Sequence, residues 1–290
     1  MRILAALKGL CRRLKSPFRI EKYMKYQEEQ LAPHIYAASA SVLLPDNVLS
    51  INNGLDNYKF EEGLQMGEMG QIHFYLPHWR TDVIQSHIFK TLNFYELPIL
   101  KKIDAFIKTG AHILDIGANI GNHSIYWAKL RRAHRIYAFE PIKTTFNMLE
   151  RNIALNALDS IIKASNVALG EKVSKGSVAQ AYSFNIGATS ICEDSVGGGG
   201  GIDITSLDVL LAQGYFTESS HIDFVKIDVE GFEERVFLGG KAFFTHFSPV
   251  IFVEIWNKQK LQEIIKILKS YNYHLKPHKR LHDNYIFIKG

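Results

Sequence analysis

Ile113-Leu-Asp-Ile-Gly-Ala-Asn-Ile-Gly-Asn-His-Ser124 decides the fold. An apolar run ends in Asp115, Gly117 and Gly121 follow, and Ile125-Tyr-Trp-Ala-Lys-Leu130 has a helical pattern. The order is a buried strand, a glycine turn and a helix. Glycine in the turn lets the backbone approach a ligand with no Cβ in the way. In an open α/β sheet such a turn lies at the carboxyl edge of the strands, where ligands bind. The spacing is Gly-x-x-x-Gly, not the Gly-x-Gly-x-x-Gly of dinucleotide sites. Asp115, two residues before Gly117, suits a ligand with a cationic head and fits a pyrophosphate poorly.

Working outward, a second strand, Arg135-Ile-Tyr-Ala-Phe139, ends in Glu140-Pro141, nineteen residues after Gly121. An acid at the tip of the second strand is where a ribose diol is commonly held. Asp115 and Glu140 together suit a nucleoside whose other end is an amino-acid cation, the shape of S-adenosylmethionine. Gly117, Ala118, Asn119, Gly121 and Asn122 form the candidate cradle.

Further strands alternate with helical stretches. A helix is expected over residues 142–158, with a strand near 162–168. Asp223-Phe-Val-Lys-Ile-Asp228 reads as a fourth strand and Pro249-Val-Ile-Phe-Val-Glu254 as a fifth. Residues 258–270 have the period of an amphipathic helix, and 271–276 and 285–289 read as two closing strands. The expected fold is α/β and doubly wound: a mostly parallel seven-stranded sheet with an antiparallel C-terminal strand. Between 172 and 206 the alternation breaks. Five consecutive glycines, 197–201, cost too much entropy for a packed element, so a hairpin-bearing insertion with a mobile tip is expected there.

Strand order and spacing carry a resemblance. Ser165-Asn-Val-Ala-Leu-Gly170, the block Asp228-Val-Glu-Gly-Phe-Glu233 and the strand ending in Glu254 resemble the FkbM family of S-adenosylmethionine-dependent methyltransferases, which have the class I, Rossmann-like methyltransferase fold. Phe94-Tyr-Glu96, Asn185-x-Gly187 and Thr205-Ser-Leu-Asp208 are similar to that family too. The likeness runs from residue 71 to 290, so residues 71–290 are taken as the methyltransferase domain and 1–70 as an N-terminal extension. It implies that Glu96, Pro141, Asn166, Val167 and Asp228 join the cofactor site, and that the reaction is O-methylation, often of sugar hydroxyls. Amide-nitrogen methyltransferases often carry Asn-Pro-Pro-Tyr at the fourth strand. Asp228-Val-Glu-Gly231 stands there instead.

Asp228 is the candidate group nearest the methyl, with Glu230, Lys226 and Glu254 as further catalytic candidates. Side chains two apart in a strand share a face, so Lys226 and Asp228 point the same way. An ammonium beside a carboxylate favours its charged form and can also position a substrate oxygen. No metal ligands are assigned, because the histidines have no zinc-site spacing and no cysteine pair assists them. A magnesium ion held by Asp228 or Glu230 and a substrate diol is a less favoured arrangement. His123 is read as a residue near the cofactor rather than a base.

Composition bounds the rest. The 290 residues are 47% hydrophobic, enough for an ordinary globular core, and the longest apolar runs are of strand length. Cys11 and Cys192 are too few for a disulfide scaffold and fit a cytoplasmic setting. The net charge is +5, and Arg2, Lys8, Arg12, Arg13, Lys15 and Arg19 precede the first acid. Ile3, Leu4, Leu7, Leu10, Cys11 and Leu14 share one face of a helix whose other face is basic, ending before Pro17. That basic amphipathic helix suits peripheral membrane contact through residues 1–20 or packing on the domain. Lys8 interrupts the apolar stretch too early for a signal peptide. A small-molecule or glycan acceptor is expected, and no DNA. An RNA methyltransferase, or a cofactor-binding module without catalysis, is the alternative. The acids at 228, 230 and 233 disfavour RNA.

Overall fold

The computed structural model describes residues 43–44, 48–51, 72–131, 133–180, 189–194, 201–277 and 283–290. The basic helix expected at 1–20 and most of the glycine run lie outside them. In chain order the elements are β1 (Leu43–Leu44), β2 (Val48–Ile51), β3 (Ile72–Tyr75), α1 (Val83–Thr91), α2 (Leu97–Ile103), β4 (His112–Ile116), α3 (Asn122–Leu130), β5 (Arg135–Phe139) and α4 (Lys143–Leu155). Then follow β6 (Ile162–Ser165), β7 (Ala168–Leu169), β8 (Ser174–Gln180), β9 (Ser190–Glu193), β10 (Ile202–Thr205), α5 (Leu207–Ala212) and β11 (Phe224–Ile227). The chain closes with α6 (Glu233–Leu238), α7 (Lys241–Phe247), β12 (Val250–Glu254), α8 (Lys258–Ser270), β13 (Tyr273–Leu275) and β14 (Asn284–Lys289).

The central sheet has seven strands in the order β13-β14-β12-β11-β4-β5-β6. Counted by their sequence order within this sheet, that is 6-7-5-4-1-2-3. Strand β14 runs antiparallel to both neighbours, and the other pairs are parallel. This is the class I methyltransferase arrangement expected from the alternation and the closing strands. Parallel strands covered on both faces must be apolar almost throughout. Accordingly β4, β11 and most of β5 are buried at every position. One core lies between the sheet and α1 to α4, around Phe94, Tyr126, Trp127 and Leu149. A second lies on the other face, around Tyr137, Phe237, Phe243 and Ile264.

Two local outcomes differ from the expected layout. Residues 46–56 read as loop because of their asparagines, yet Val48–Ile51 forms β2, pairs antiparallel with β3 and buries Leu49 in the first core. The third strand stops at Ser165, and Ala168–Leu169 pairs instead with β10 in a separate four-stranded sheet, β7-β10-β8-β9. Within that sheet β8 and β9 form the hairpin expected of the insertion.

Candidate active site

The strand order reverses between β4 and β11, and the carboxyl ends of these two strands meet at the glycine turn. A ligand crevice belongs at such a point. A shallow cleft lined by Phe106, Lys108 and Asp223 lies at the opposite, amino edge and holds none of the candidate residues.

Gly117 has φ +77, and a Cβ there would lie 1.8 Å from the carbonyl oxygen of Asp228. Its lack of a side chain therefore lets β4 and β11 close against each other at the turn. Gly121, at φ +91, leaves room for the Leu149 side chain. The Phe139 carbonyl accepts hydrogen bonds from the Gly117 and Ala118 N–H groups, which ties the turn to β5.

Glu140 is buried just beyond β5. Its Oε2 accepts from the Asn119 N–H at 3.0 Å and its Oε1 from the Ile142 N–H at 2.9 Å. Burial raises its pKa to about 7 against the pull of these two donors. The Asn166 amide donates to the carbonyls of Glu140 and Pro141, both at 2.9 Å, and holds the loop in place. Val167 packs on the second core. The Asn122 side chain is consumed by the Tyr95 backbone, accepting at 2.9 Å and donating at 3.0 Å, and so fixes the residue next to Glu96.

The parallel register sets Lys226 of β11 beside Asp115 of β4. Asp115 is fully buried, a costly place for a carboxylate unless it is compensated. Ser124 Oγ donates to its Oδ2 at 2.7 Å, and Lys226 Nζ lies 3.2 Å from its Oδ1. The Lys226 ammonium is the charge partner of Oδ1. Lys226 Nζ also donates to the Gly117 carbonyl at 2.5 Å and stands 3.7 Å from Asp228 Oδ2. Burial opposes its charge, but Asp115 and Asp228 outweigh burial and raise its pKa. The sequence placed Lys226 and Asp228 on one face. The pairing with Asp115 depends on register and could not be read from it.

Asp228, with one third of its side chain exposed, opens to the crevice. Glu254 ends the adjacent strand β12, which runs parallel to β11. Burial, then the charges of Asp228, Glu96 and Glu230, push its pKa well above the ordinary carboxyl range. Glu96 occupies the N-cap position of α2. Burial and the Asp228 charge raise its pKa to about 8.

His123 is the residue whose setting the sequence left open. It lies in the first turn of α3, buried, with Nε2 lacking a hydrogen-bond partner and 3.8 Å from Glu96 Oε2. Burial, then the Lys226 charge, lower its pKa to about 4. It is a neutral imidazole at neutral pH.

Glu96, Asn119 and Glu230 all have φ between 52 and 56, in the left-handed region. Such conformations cost on the order of 1 kcal/mol or more for non-glycine residues and gather at functional sites. Gly231 follows at φ +102, held by Glu233 and by Lys260, whose ammonium donates to its carbonyl at 2.6 Å. Among the described residues no group of three or more His, Cys, Asp or Glu is arranged to hold a metal ion, and no helix is long and apolar enough to cross a membrane.

The chain's likeness to known proteins covers the same region. A family model described as the methyltransferase FkbM domain matches residues 115–275, from the buried Asp115 to the closing strands. Methyltransferase sdnD of Sordaria araneosa is 28% identical over 193 residues, 57% of this chain and 73% of that protein. The crystal structure of methyltransferase FkbM from Methylobacillus flagellatus KT shares 17% identity at a TM-score of 0.41. The match covers 62% of this chain and 43% of that one, so the chain spans less than half of that structure's length. TrmK of M. capricolum, in complex with S-adenosyl-homocysteine, shares 14% identity at a TM-score of 0.36 over 68% of each chain. These two likenesses are of fold alone. The family match takes in more than half of the chain, with the glycine turn, Glu140, Asp228 and Glu254 inside it: the chain belongs to the FkbM family of methyltransferases.

Proposed function

We propose that the chain is an S-adenosylmethionine-dependent O-methyltransferase that acts on a hydroxyl of a sugar, in a glycan or a related metabolite. The residues fit the cofactor. Each oxygen of Glu140 accepts one backbone N–H and keeps lone-pair capacity for a ribose hydroxyl. Glu140, Pro141, Asn166 and Val167 take the nucleoside end. Asp115 and Glu96 take the amino-acid end together with the turn residues 117–122. When bound, the cofactor supplies an electrophilic methyl group on a sulfonium.

The observation that carries the reading is Asp228: a part-exposed carboxylate at the tip of β11, touching the glycine turn through its own backbone. Asp228 accepts or orients the proton of the acceptor hydroxyl, and Glu254 and Glu230 stand next to it. Lys226 holds Asp228 and the turn in one frame. Positioning of this kind contributes about 7–11 kcal/mol when the reacting groups are well aligned. The acids around Asp228 suit a neutral or cationic acceptor better than a polyanionic RNA. Methyl transfer from labelled cofactor to a panel of sugars, glycans and RNA tests the reading. It predicts label on sugar hydroxyls, and label on RNA alone contradicts it.

A further inference from the structure

Three consecutive residues in the first turn of α3 reach three separate parts of the site. The Asn122 amide accepts from the Tyr95 N–H at 2.9 Å and donates to the Tyr95 carbonyl at 3.0 Å. Ser124 Oγ donates to Asp115 Oδ2 at 2.7 Å. His123, between them, approaches Glu96 without bonding to it. Its Nε2 is buried and lacks a hydrogen-bond partner, and Glu96 Oε2 lies 3.8 Å away. A hydrogen bond needs an approach closer by roughly 0.6–1.1 Å. Buried polar atoms left unpaired are rare and call for a reason.

Of the two side chains, Glu96 is the better placed to move. The fully buried Trp127 ring, one turn on, lies 5.6 Å from the His123 ring. The Glu96 side chain is one fifth exposed and, although at the N-cap of α2, makes no capping hydrogen bond to that helix. Its backbone is pinned, because Asn122 grips the preceding residue on both its N–H and its carbonyl. A side-chain rotation of Glu96 therefore closes the gap while the chain stays in place. The imidazole is neutral at neutral pH, so it can donate without cancelling a carboxylate charge. An ammonium or guanidinium in its place would compete with a cationic ligand.

This inference rests on the reading that Glu96 takes the amino-acid end of S-adenosylmethionine. We propose that His123 is the positioning residue of Glu96: with its proton on Nε2, it donates to the Glu96 carboxylate when the cofactor's ammonium arrives, and holds one oxygen while the other meets the ammonium. The ammonium favours the ionised carboxylate, and an ionised acceptor forms a shorter, stronger hydrogen bond than a neutral one. The amino-acid end is thus recognised in two layers. Asn122 fixes the backbone beside Glu96, and His123 fixes its carboxylate.

Titration calorimetry on the full chain at pH 7.5 compares S-adenosylhomocysteine, which has the amino-acid end, with 5′-methylthioadenosine, which lacks it. His123→Leu should weaken the first by about ten- to a hundredfold, the worth of one hydrogen bond to a charged group, and leave the second within about twofold. His123→Gln, whose amide offers a donor at similar reach, should recover most of the loss. In a Glu96→Ala background His123→Leu should cost little more, because the two residues act as a unit. Equal weakening of both ligands, or of neither, overturns the proposal. A measurement on the unsubstituted chain does not depend on any variant folding. Imidazole nitrogen resonances should show His123 protonated at Nε2, with that N–H signal moved by S-adenosylhomocysteine and not by 5′-methylthioadenosine. A ring protonated at Nδ1 alone overturns the proposal. If neither ligand binds the unsubstituted chain, the cofactor reading fails and the positioning role with it, so the two failures are distinguishable.

Discussion

Lys226 and Gly117 are 109 residues apart in sequence, yet the Lys226 ammonium donates to the Gly117 carbonyl at 2.5 Å. This bond joins β11, which leads into Asp228, to the turn that begins at Gly117. The same ammonium is the charge partner of the fully buried Asp115. Lys226→Met keeps the length of the side chain but strands that carboxylate. Breaking a buried pair from one side costs about 3–5 kcal/mol. Chemical denaturation of Lys226→Met should show a loss of that order. A loss under about 1 kcal/mol would mean that Asp115 is held by Ser124 and the strand geometry instead.

Gly117→Ala tests the contact between turn and strand. A Cβ at this position would sit 1.8 Å from the Asp228 carbonyl oxygen, on a backbone at φ +77. Alanine at a positive φ destabilises by more than about 1 kcal/mol even with space around it. Here Asp228 must also move, so the variant should lose both stability and turnover. Retention of wild-type turnover would show that Asp228 need not be held in this position.

Much of this was legible from local pattern. The apolar run before Asp115, the two glycines and the helical spacing after them show a strand, a turn and a helix because each uses a period or a backbone freedom visible in a dozen residues. The two-residue period likewise puts Lys226 and Asp228 on one face. What stayed hidden is set by pairing across the sheet. The Lys226–Asp115 contact follows from the β4–β11 register, which a single strand does not specify. The approach of His123 to Glu96 depends on how α3 packs against the start of α2. The bond of the Asn122 amide to the Tyr95 backbone, 27 residues away, likewise follows from how α3 packs. The strand Val48–Ile51 is short, lies among loop-forming asparagines and gains its stability by pairing with β3.

Asp228→Asn preserves size while removing the carboxylate. A positioned general base contributes a factor of about 10²–10⁴ in rate. Turnover on the true acceptor should fall by that order with little change in cofactor affinity, as single-turnover and binding measurements would show. Near-normal turnover would move the base to Glu254 or Glu230. Lost cofactor binding would make Asp228 a binding residue.

The stability of the ligand-free chain should fall as pH rises from about 6.5 to 8.5. Burial raises Glu96 to about 8 and Glu140 to about 7, so the folded chain keeps protons that unfolded carboxyls lose near 4.5. Where the folded state binds more protons, raising pH destabilises it. His87 and His123, lowered by burial to about 4, act oppositely and only between about pH 4 and 6.5. Denaturant midpoints measured across this range, with Glu96→Gln alongside, check the sign. The variant should show a shallower decline, and a midpoint that climbs from pH 6.5 to 8.5 would contradict the assignment.

Cofactor binding at Glu140 is the most direct test of the whole account. Glu140→Ala removes the acceptors assigned to the ribose diol, and hydrogen bonds to a charged group are worth roughly 1.5–3 kcal/mol each. Titration calorimetry of S-adenosylmethionine into the wild-type chain should show one site. Affinity should fall by about tenfold or more in Glu140→Ala while circular dichroism confirms the fold. Wild-type affinity in the variant, or no binding by the wild-type chain, would contradict the account.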